Sequence, residues 1–504
     1  MNRFKTYFFK LTIAMFAVGL AVSMTPVSRA EDQPSGQPAA TQPATASQPT
    51  SASQPTSTSQ PAADTQQRLQ ELENEVTALQ SAIASLKADS APSMKTAAYA
   101  QPASGVASYS PGSLAQDAAA PAKISIASLL GPVTLSGFGD FYYGYDYNHP
   151  ENNSAGLRFF EAPTNGFAFN MAELILDKAA DATSAESRLG YHISAGYGEA
   201  AKIINGSDVA FTDGSNFYVK EAYVSYLAPV GKGLTVTVGK FVTNAGAEVI
   251  ESNGNWNYSR SILFYYAIPY FHFGAKAAYT FNPKWSVNAS VVNGWNNTNI
   301  NHDFGGQSSG LTYGGTVTYT PNMKWSVAEN YYAGPIIDAF GSGSKTLNDW
   351  RQLSDTVIGY TPNAKWAFQV NGDYVYGPKF YSGSGCGDAV VSEATGCVGG
   401  PAINYWGAAG YLKYTMSPKT NFAVRYEYFN DTDGYAGVLG GADGWAQEVT
   451  GTYSYNLTSA LLVRGEYRYD VTQLPIFYTG SRNVKNQNTA YLSFVYSFSS
   501  ANLK

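Results

Sequence analysis

Near its end the chain alternates strictly between two kinds of side chain. Ala490, Leu492, Phe494, Tyr496 and Phe498 are apolar or aromatic, while Thr489, Tyr491, Ser493 and Ser497 are polar or amphipathic, with Val495 the exception. Successive residues of a strand point to opposite faces. Such a segment therefore has one face suited to lipid and one suited to a polar lumen. The pattern recurs from about residue 133 and predicts sixteen strands. They lie near 133–147, 167–178, 187–198, 216–227, 233–243, 269–281, 284–295 and 311–320, then 323–333, 351–361, 365–376, 404–416, 420–430, 444–455, 460–471 and 487–498. Each is long enough to cross an outer membrane at a tilt. Segment 323–333 does not alternate cleanly, and no face is assigned to it.

The connections alternate short and long. Pro229-Val230-Gly231-Lys232, Asn282-Pro283, Pro321-Asn322, Pro362-Asn363 and Ser417-Pro418 mark short turns. Lys284-Trp285, Lys324-Trp325 and Lys365-Trp366 repeat one element after three of them, as expected of an aromatic girdle at one bilayer interface. Short turns face the periplasm in such barrels, and an even strand number leaves both chain ends there. The expected fold is all-β: a transmembrane antiparallel barrel of about 16 strands, with a short periplasmic coiled-coil helix before it.

The first thirty residues have a basic start (Arg3, Lys5, Lys10), an apolar run from Leu11 to Val22, and Ser28-Arg29-Ala30, a secretory signal peptide cut after Ala30. Its twelve apolar residues fall short of the ~20 a membrane helix needs. The expected domains then run 31–64, a Gln/Pro/Ser/Thr/Ala linker with Gln-Pro at Gln42, Gln48, Gln54 and Gln60; 65–88, a coiled coil; 89–132, a second linker; 133–498, the barrel; and 499–504, a tail. Leu69, Leu72, Val76, Leu79, Ile83 and Leu86 are spaced 3, 4, 3, 4, 3, the seam of a coiled coil. An isolated helix this short is marginal in water, so self-association or docking on the same chain must stabilise it.

Composition narrows the functions. Aromatic residues are abundant (38 Tyr, 26 Phe, 8 Trp) and charged ones make up only 13%. Cleaving the leader removes four basic residues and no acids, moving the net charge from −6 to −10, which disfavours nucleic acid as a partner. Cys386 and Cys397 are expected to form a disulfide closing a small outer loop in an oxidising compartment. His149, His192, His272 and His302 have no metal-ligand spacing, so no metal or cofactor is expected.

A Lys or Arg on the lipid face costs about 2–4 kcal/mol at midplane, so charged rows opposite apolar ones must line the lumen. This assigns to the pore lining Lys276, Asp373, Lys413, Glu427, Glu448, Glu466 and Asp470, with Arg425, Arg464 and Arg468 among them. Sixteen strands enclose a lumen too wide for side chains to fill, so it should hold water. The third long loop, about 244–268, carries Ile262, Leu263 and Phe264, residues suited to folding against the inner wall. Glu248 and Glu251 on it would then face Arg425, Arg464 and Arg468 across the opening, with Arg260 also at the constriction.

These residues resemble the outer-membrane general porins. The likeness is strongest to β-barrel porins that share Gly239-Lys240-Phe241, Gly246-Ala247-Glu248, Tyr258-Ser259-Arg260-Ser261 and Pro269. The resemblance implies a loop folded into the channel, an acidic loop facing a basic wall, and a homotrimer. The tail after Phe498 departs from the usual terminal aromatic, and the coiled coil is shared with some sugar-selective porins rather than with general ones. The expected function is a mildly cation-preferring, non-enzymatic pore for small hydrophilic solutes or ions in the outer membrane of a Gram-negative-type bacterium, in contact with its lipid. The N-terminal segment would be periplasmic and touch peptidoglycan. Two alternatives stay open: a structural tether or adhesin, and an outer-membrane hydrolase whose residues come from separate strands.

Overall fold

The computed structural model describes residues 131, 133–205, 216–298, 310–335, 350–382, 398–480 and 482–502. The signal peptide, both linkers, the coiled-coil seam and the two cysteines lie outside the described residues. The first eight strands are β1 (Thr134–Asp146), β2 (Gly166–Lys178), β3 (Leu189–Tyr197), β4 (Phe217–Ala228), β5 (Leu234–Val242), β6 (Phe271–Asn282), β7 (Trp285–Val292) and β8 (Thr312–Asn322). Then come β9 (Trp325–Pro335), β10 (Trp350–Tyr360), β11 (Trp366–Ser382), β12 (Val398–Ser417), β13 (Thr420–Asp431), β14 (Gly444–Asn456), β15 (Leu461–Thr472) and β18 (Asn486–Ser499). A small hairpin of β16 (Phe477–Thr479) and β17 (Arg482–Val484) stands apart from the barrel sheet. The sixteen long strands pair antiparallel with their neighbours and close when β1 meets β18, from Ser136 opposite Ser499 to Asp146 opposite Thr489. Closure leaves no sheet edge, which a membrane-spanning sheet requires.

The faces follow the alternation. On β18, Leu492, Phe494, Tyr496 and Phe498 are exposed outward, while Thr489, Tyr491 and Ser493 are buried. Val495, on the polar side, joins the apolar cluster inside the barrel. That cluster also holds Ile262, Leu263, Phe264 and Ile268 of the third long loop and Leu157 and Phe160 of the first. The apolar core therefore sits within the barrel, between loops and wall.

The Lys-Trp repeats sit at one end. The side-chain oxygens of Asn282 and Asn363 each accept two backbone N–H groups, from Lys284 and Trp285 and from Lys365 and Trp366, at 2.9–3.1 Å. Asn322 accepts from Lys324 in the same way. Each turn then delivers its tryptophan onto a neighbouring tyrosine: Trp285 on Tyr319 at 4.3 Å, Trp325 on Tyr360 at 4.2 Å and Trp366 on Tyr414 at 4.5 Å.

Two departures from the predicted strands have local causes. β11 and β12 extend past 376 and begin before 404, because pairing continues beyond Gly377-Pro378 with a shift of register after Tyr376. In β9 the alternation fails because Glu329 lies on the outer face. Its neighbour Asn330 points inward to Asp355 and Thr316. Glu329 itself accepts the hydroxyls of Ser354, at 2.9 Å, and Thr356 on β10. Tyr331 beside it donates to Gln352 at 2.6 Å. This polar cluster sits among outward Val317, Val327, Ile358 and Val370.

Candidate functional site

The third long loop, residues 243–270, runs inside the barrel, fastened along most of its length. Its backbone N–H groups meet acceptors on the wall. Gly246 donates to Asp355 and Ala247 to Asn371, both at 3.0 Å. Tyr258 and Ser259 donate to the two oxygens of Glu466, at 2.5 and 2.9 Å. Ile262 and Leu263 donate to the two oxygens of Glu427, at 2.5 and 3.1 Å. These last two open the short helix α1 (Ile262–Tyr266), whose cap Ser261 accepts from Phe264 at 3.0 Å. A carboxylate at such a helix start satisfies N–H groups that the helix cannot.

The loop's carbonyls meet the arginines. Arg464 donates to the carbonyls of Ser252 (2.6 Å) and Asn255 (3.0 Å). Arg425 donates to those of Ser259 (2.6 Å) and Arg260 (3.3 Å), and Arg468 to that of Arg260 (2.6 Å). β13 and β15 thus present carboxylates to the loop's donors and guanidiniums to its acceptors. Both come from one inward face because Arg425 and Glu427, like Arg464, Glu466, Arg468 and Asp470, are two residues apart.

Ion pairs complete the anchorage. Glu248 pairs with Arg425 at 2.7 Å and accepts the Ser261 N–H at 2.6 Å, tying the loop's two arms together. Arg425 also meets Glu448 at 2.5 Å, and Arg468 meets Glu448 at 3.5 Å and Asp470 at 2.8 Å. The first long loop folds in as well: its Arg158 pairs with Asp470 at 2.7 Å and its Glu161 with Arg260 at 3.1 Å. Burial lifts the Glu161 carboxyl above its usual range, with the Arg260 guanidinium pulling the other way.

The predicted site residues are brought together, but in a different arrangement. Arg260, Arg425, Arg464, Arg468, Glu427, Glu448, Glu466 and Asp470 were expected to face water. All are buried, because the loop lies on them. Glu248 does not look across an opening at the arginines; it touches one. Glu251 pairs with Lys220 on β4, which also meets Glu173 at 2.6 Å, and not with any arginine. Asp373 lies beside Asp355 and Asn371, and Lys413 and Lys276 stack over Trp256 and Phe241 at 4.7 and 4.6 Å. Tyr405 and Tyr411, considered for stacking sugars, are buried. His272 faces inward, held by the Gly294 carbonyl at 3.0 Å.

Sequence reasoning missed Lys220, Asp355, Arg158 and Glu161. Lys220 is hidden by a bulge: the β3–β4 register slips between Ser194 and Ala195, so Lys220 and Glu221 both face inward although adjacent. Asp355 was legible, since it shares the parity of Arg351 on β10. Arg158 and Glu161 carry no mark of their own, but the apolar Leu157, Phe159 and Phe160 around them were an available sign that the first loop folds inward.

A closed antiparallel barrel with an apolar exterior and a charged interior crossed by its third long loop is the architecture of an outer-membrane porin channel. Residues 132–498 match the family model described as "Putative beta-barrel porin-2, OmpL-like", and the chain belongs to that family. No curated protein matches the chain significantly. Among solved structures it is similar to the outer membrane channel DcaP of Acinetobacter baumannii, at 13% identity and a TM-score of 0.49, covering 73% of this chain and 97% of that one. It is also similar to the anion-selective porin from Comamonas acidovorans, at 12% identity and a TM-score of 0.46, covering 73% and 99%. The trimer form of OmpT from Vibrio cholerae gives 14% identity and a TM-score of 0.43, covering 73% and 99%.

Proposed function

We propose that this porin passes small hydrophilic solutes by passive diffusion, with the third long loop as its constriction. The anchoring of that loop to β10, β11, β13 and β15 inside the barrel carries this reading. A loop held so tightly sets a fixed aperture, which is how an aqueous pore sorts solutes by size and field. The mature chain's excess of acids favours a mild cation preference. Glu248 and Glu251 contribute little to it, because both are already paired. The leader directs the chain across the inner membrane, the segment before the barrel stays in the periplasm with access to peptidoglycan, and the likeness to porins supports a homotrimer. Single-channel recording of the mature protein in planar bilayers under a salt gradient tests this directly. Discrete conductance steps with a small cation-directed reversal potential are expected. Folded protein that leaves the bilayer sealed would refute the open-channel reading.

That sealed outcome corresponds to a second reading, a lumen occluded by its own loop. The contact of Glu251 with Lys220 on β4, far around the wall from β13, favours it. Trimming residues 249–257 would then open conductance in a silent parent.

A further inference from the structure

The barrel wall opposite the charged strands is chemically different. The inward positions in the short-turn half of β6 to β9 are Thr280 on β6, Ser286 and Asn288 on β7, Thr318 and Thr320 on β8, and Ser326 on β9. Their inward orientation follows from the register. Lys276, of the same parity as Thr280, stands opposite Ser290, and Thr280 stands opposite Ser286. Ser286 is opposite Thr318, and Asn288 is opposite Thr316, whose hydroxyl bonds inward to Asn330 and to Asn244 of the third loop. The alternate positions Trp285, Ala289 and Val291 are exposed outward.

All six side chains are half-buried rather than covered. None of them hydrogen-bonds to another side chain among the described residues; the side-chain oxygen of Asn288 is itself buried, so its amide nitrogen and the five hydroxyls make up the accessible polar face. An inward charge, Lys276, stands at the edge of the patch, opposite Ser290 and lying over Phe241. On the other wall, by contrast, the charges are taken up by the two loops. The polar surface of this patch is therefore uncharged, and it consists of groups that both donate and accept.

We infer that this hydroxyl and amide face is the solute-contacting wall and that the channel favours uncharged polyhydroxyl solutes, such as polyols and small saccharides, over charged solutes of similar size. This rests on the channel reading above. A charged solute sheds part of its hydration in a narrow passage, and only opposite fixed charge repays that loss. An uncharged polyol exchanges its water hydrogen bonds for wall hydroxyls at little cost.

Proteoliposomes of the full mature chain, assayed by osmotic swelling, test the inference against glucose, glucosamine hydrochloride and sodium gluconate, with potassium chloride conductance measured in parallel. Glucose is expected to enter severalfold faster than either charged analogue. Replacing Ser286 and Thr318 by valine should slow glucose severalfold while potassium chloride conductance holds, and N288D should turn the reversal potential toward cations. Equal rates for the three solutes, or valine variants that pass glucose unchanged, would overturn this inference while leaving the channel intact. Loss of potassium chloride conductance in the parent would instead remove the channel reading itself.

Discussion

β13 to β15 and β6 to β9 belong to one continuous sheet, obey the same alternation and face the same lumen, yet they solve different problems. The first region spends its ionised groups on the backbone of a loop. Arg425, Glu427, Arg464, Glu466 and Arg468 each bond main-chain atoms of residues 252–263. The second region carries, in its short-turn half, threonine, serine and asparagine (Thr280, Ser286, Asn288, Thr318, Thr320 and Ser326) that bond to no side chain among the described residues. A charge on an inner wall is thus no guarantee that it meets solute. Whether it does depends on what lies over it, and here the charged wall is structural while the neutral wall is left to the passage.

The contrast is broken most severely at Arg425. Changing it to methionine leaves Glu248 buried without its guanidinium and Glu448 with Arg468 alone at 3.5 Å, and should cost about 3–5 kcal/mol. Urea unfolding in detergent should show the loss, and bilayer recordings should show larger, noisier conductance as the loop comes free. Glu427→Gln keeps the shape but weakens two charge-assisted bonds to Ile262 and Leu263, for about 1–3 kcal/mol, read as faster proteolysis within the loop. Paired charge substitutions sharpen the comparison next. Thr318→Glu on the neutral wall should move the reversal potential clearly toward cations, whereas Glu448→Gln, which is covered, should alter stability more than selectivity. The smallest effect is expected on the outer side of the same neutral region. Glu329→Leu removes a buried outer-face carboxyl and the acceptor of the Ser354 and Thr356 hydroxyls, and unfolding in phospholipid should show a loss of only about 1 kcal/mol, because both hydroxyls can turn to other acceptors.

Much of this was legible from the chain. The strand positions followed the alternation to within a few residues, because lipid and lumen impose opposite demands on neighbouring side chains. The inward facing of Arg425, Glu427, Arg464, Glu466, Arg468 and Asp470 followed from the same parity. The fate of those charges did not, since alternation tells which way a side chain points and nothing about a loop that descends onto it. Ile262, Leu263 and Phe264 were the local sign that the third loop would be buried, as Leu157 and Phe160 are for the first. Lys220 was hidden by a bulge, which breaks parity without leaving a mark in the sequence. Glu329 appeared only as noise, and its meaning needed the hydroxyls of Ser354 and Thr356 on the next strand.

The loop's anchors lie far along the chain from the loop itself: 109 residues separate Gly246 from Asp355, 208 separate Tyr258 from Glu466, and 212 separate Ser252 from Arg464. Contacts of such separation form late, after the intervening chain has been ordered. β10 to β15 must therefore be in place before residues 243–270 can settle. Closure of β1 on β18 joins residues farther apart still, 363 between Ser136 and Ser499, so capture of the loop and sealing of the sheet both belong to the last stage of folding, when one ring of wall strands must be gathered around its own filling.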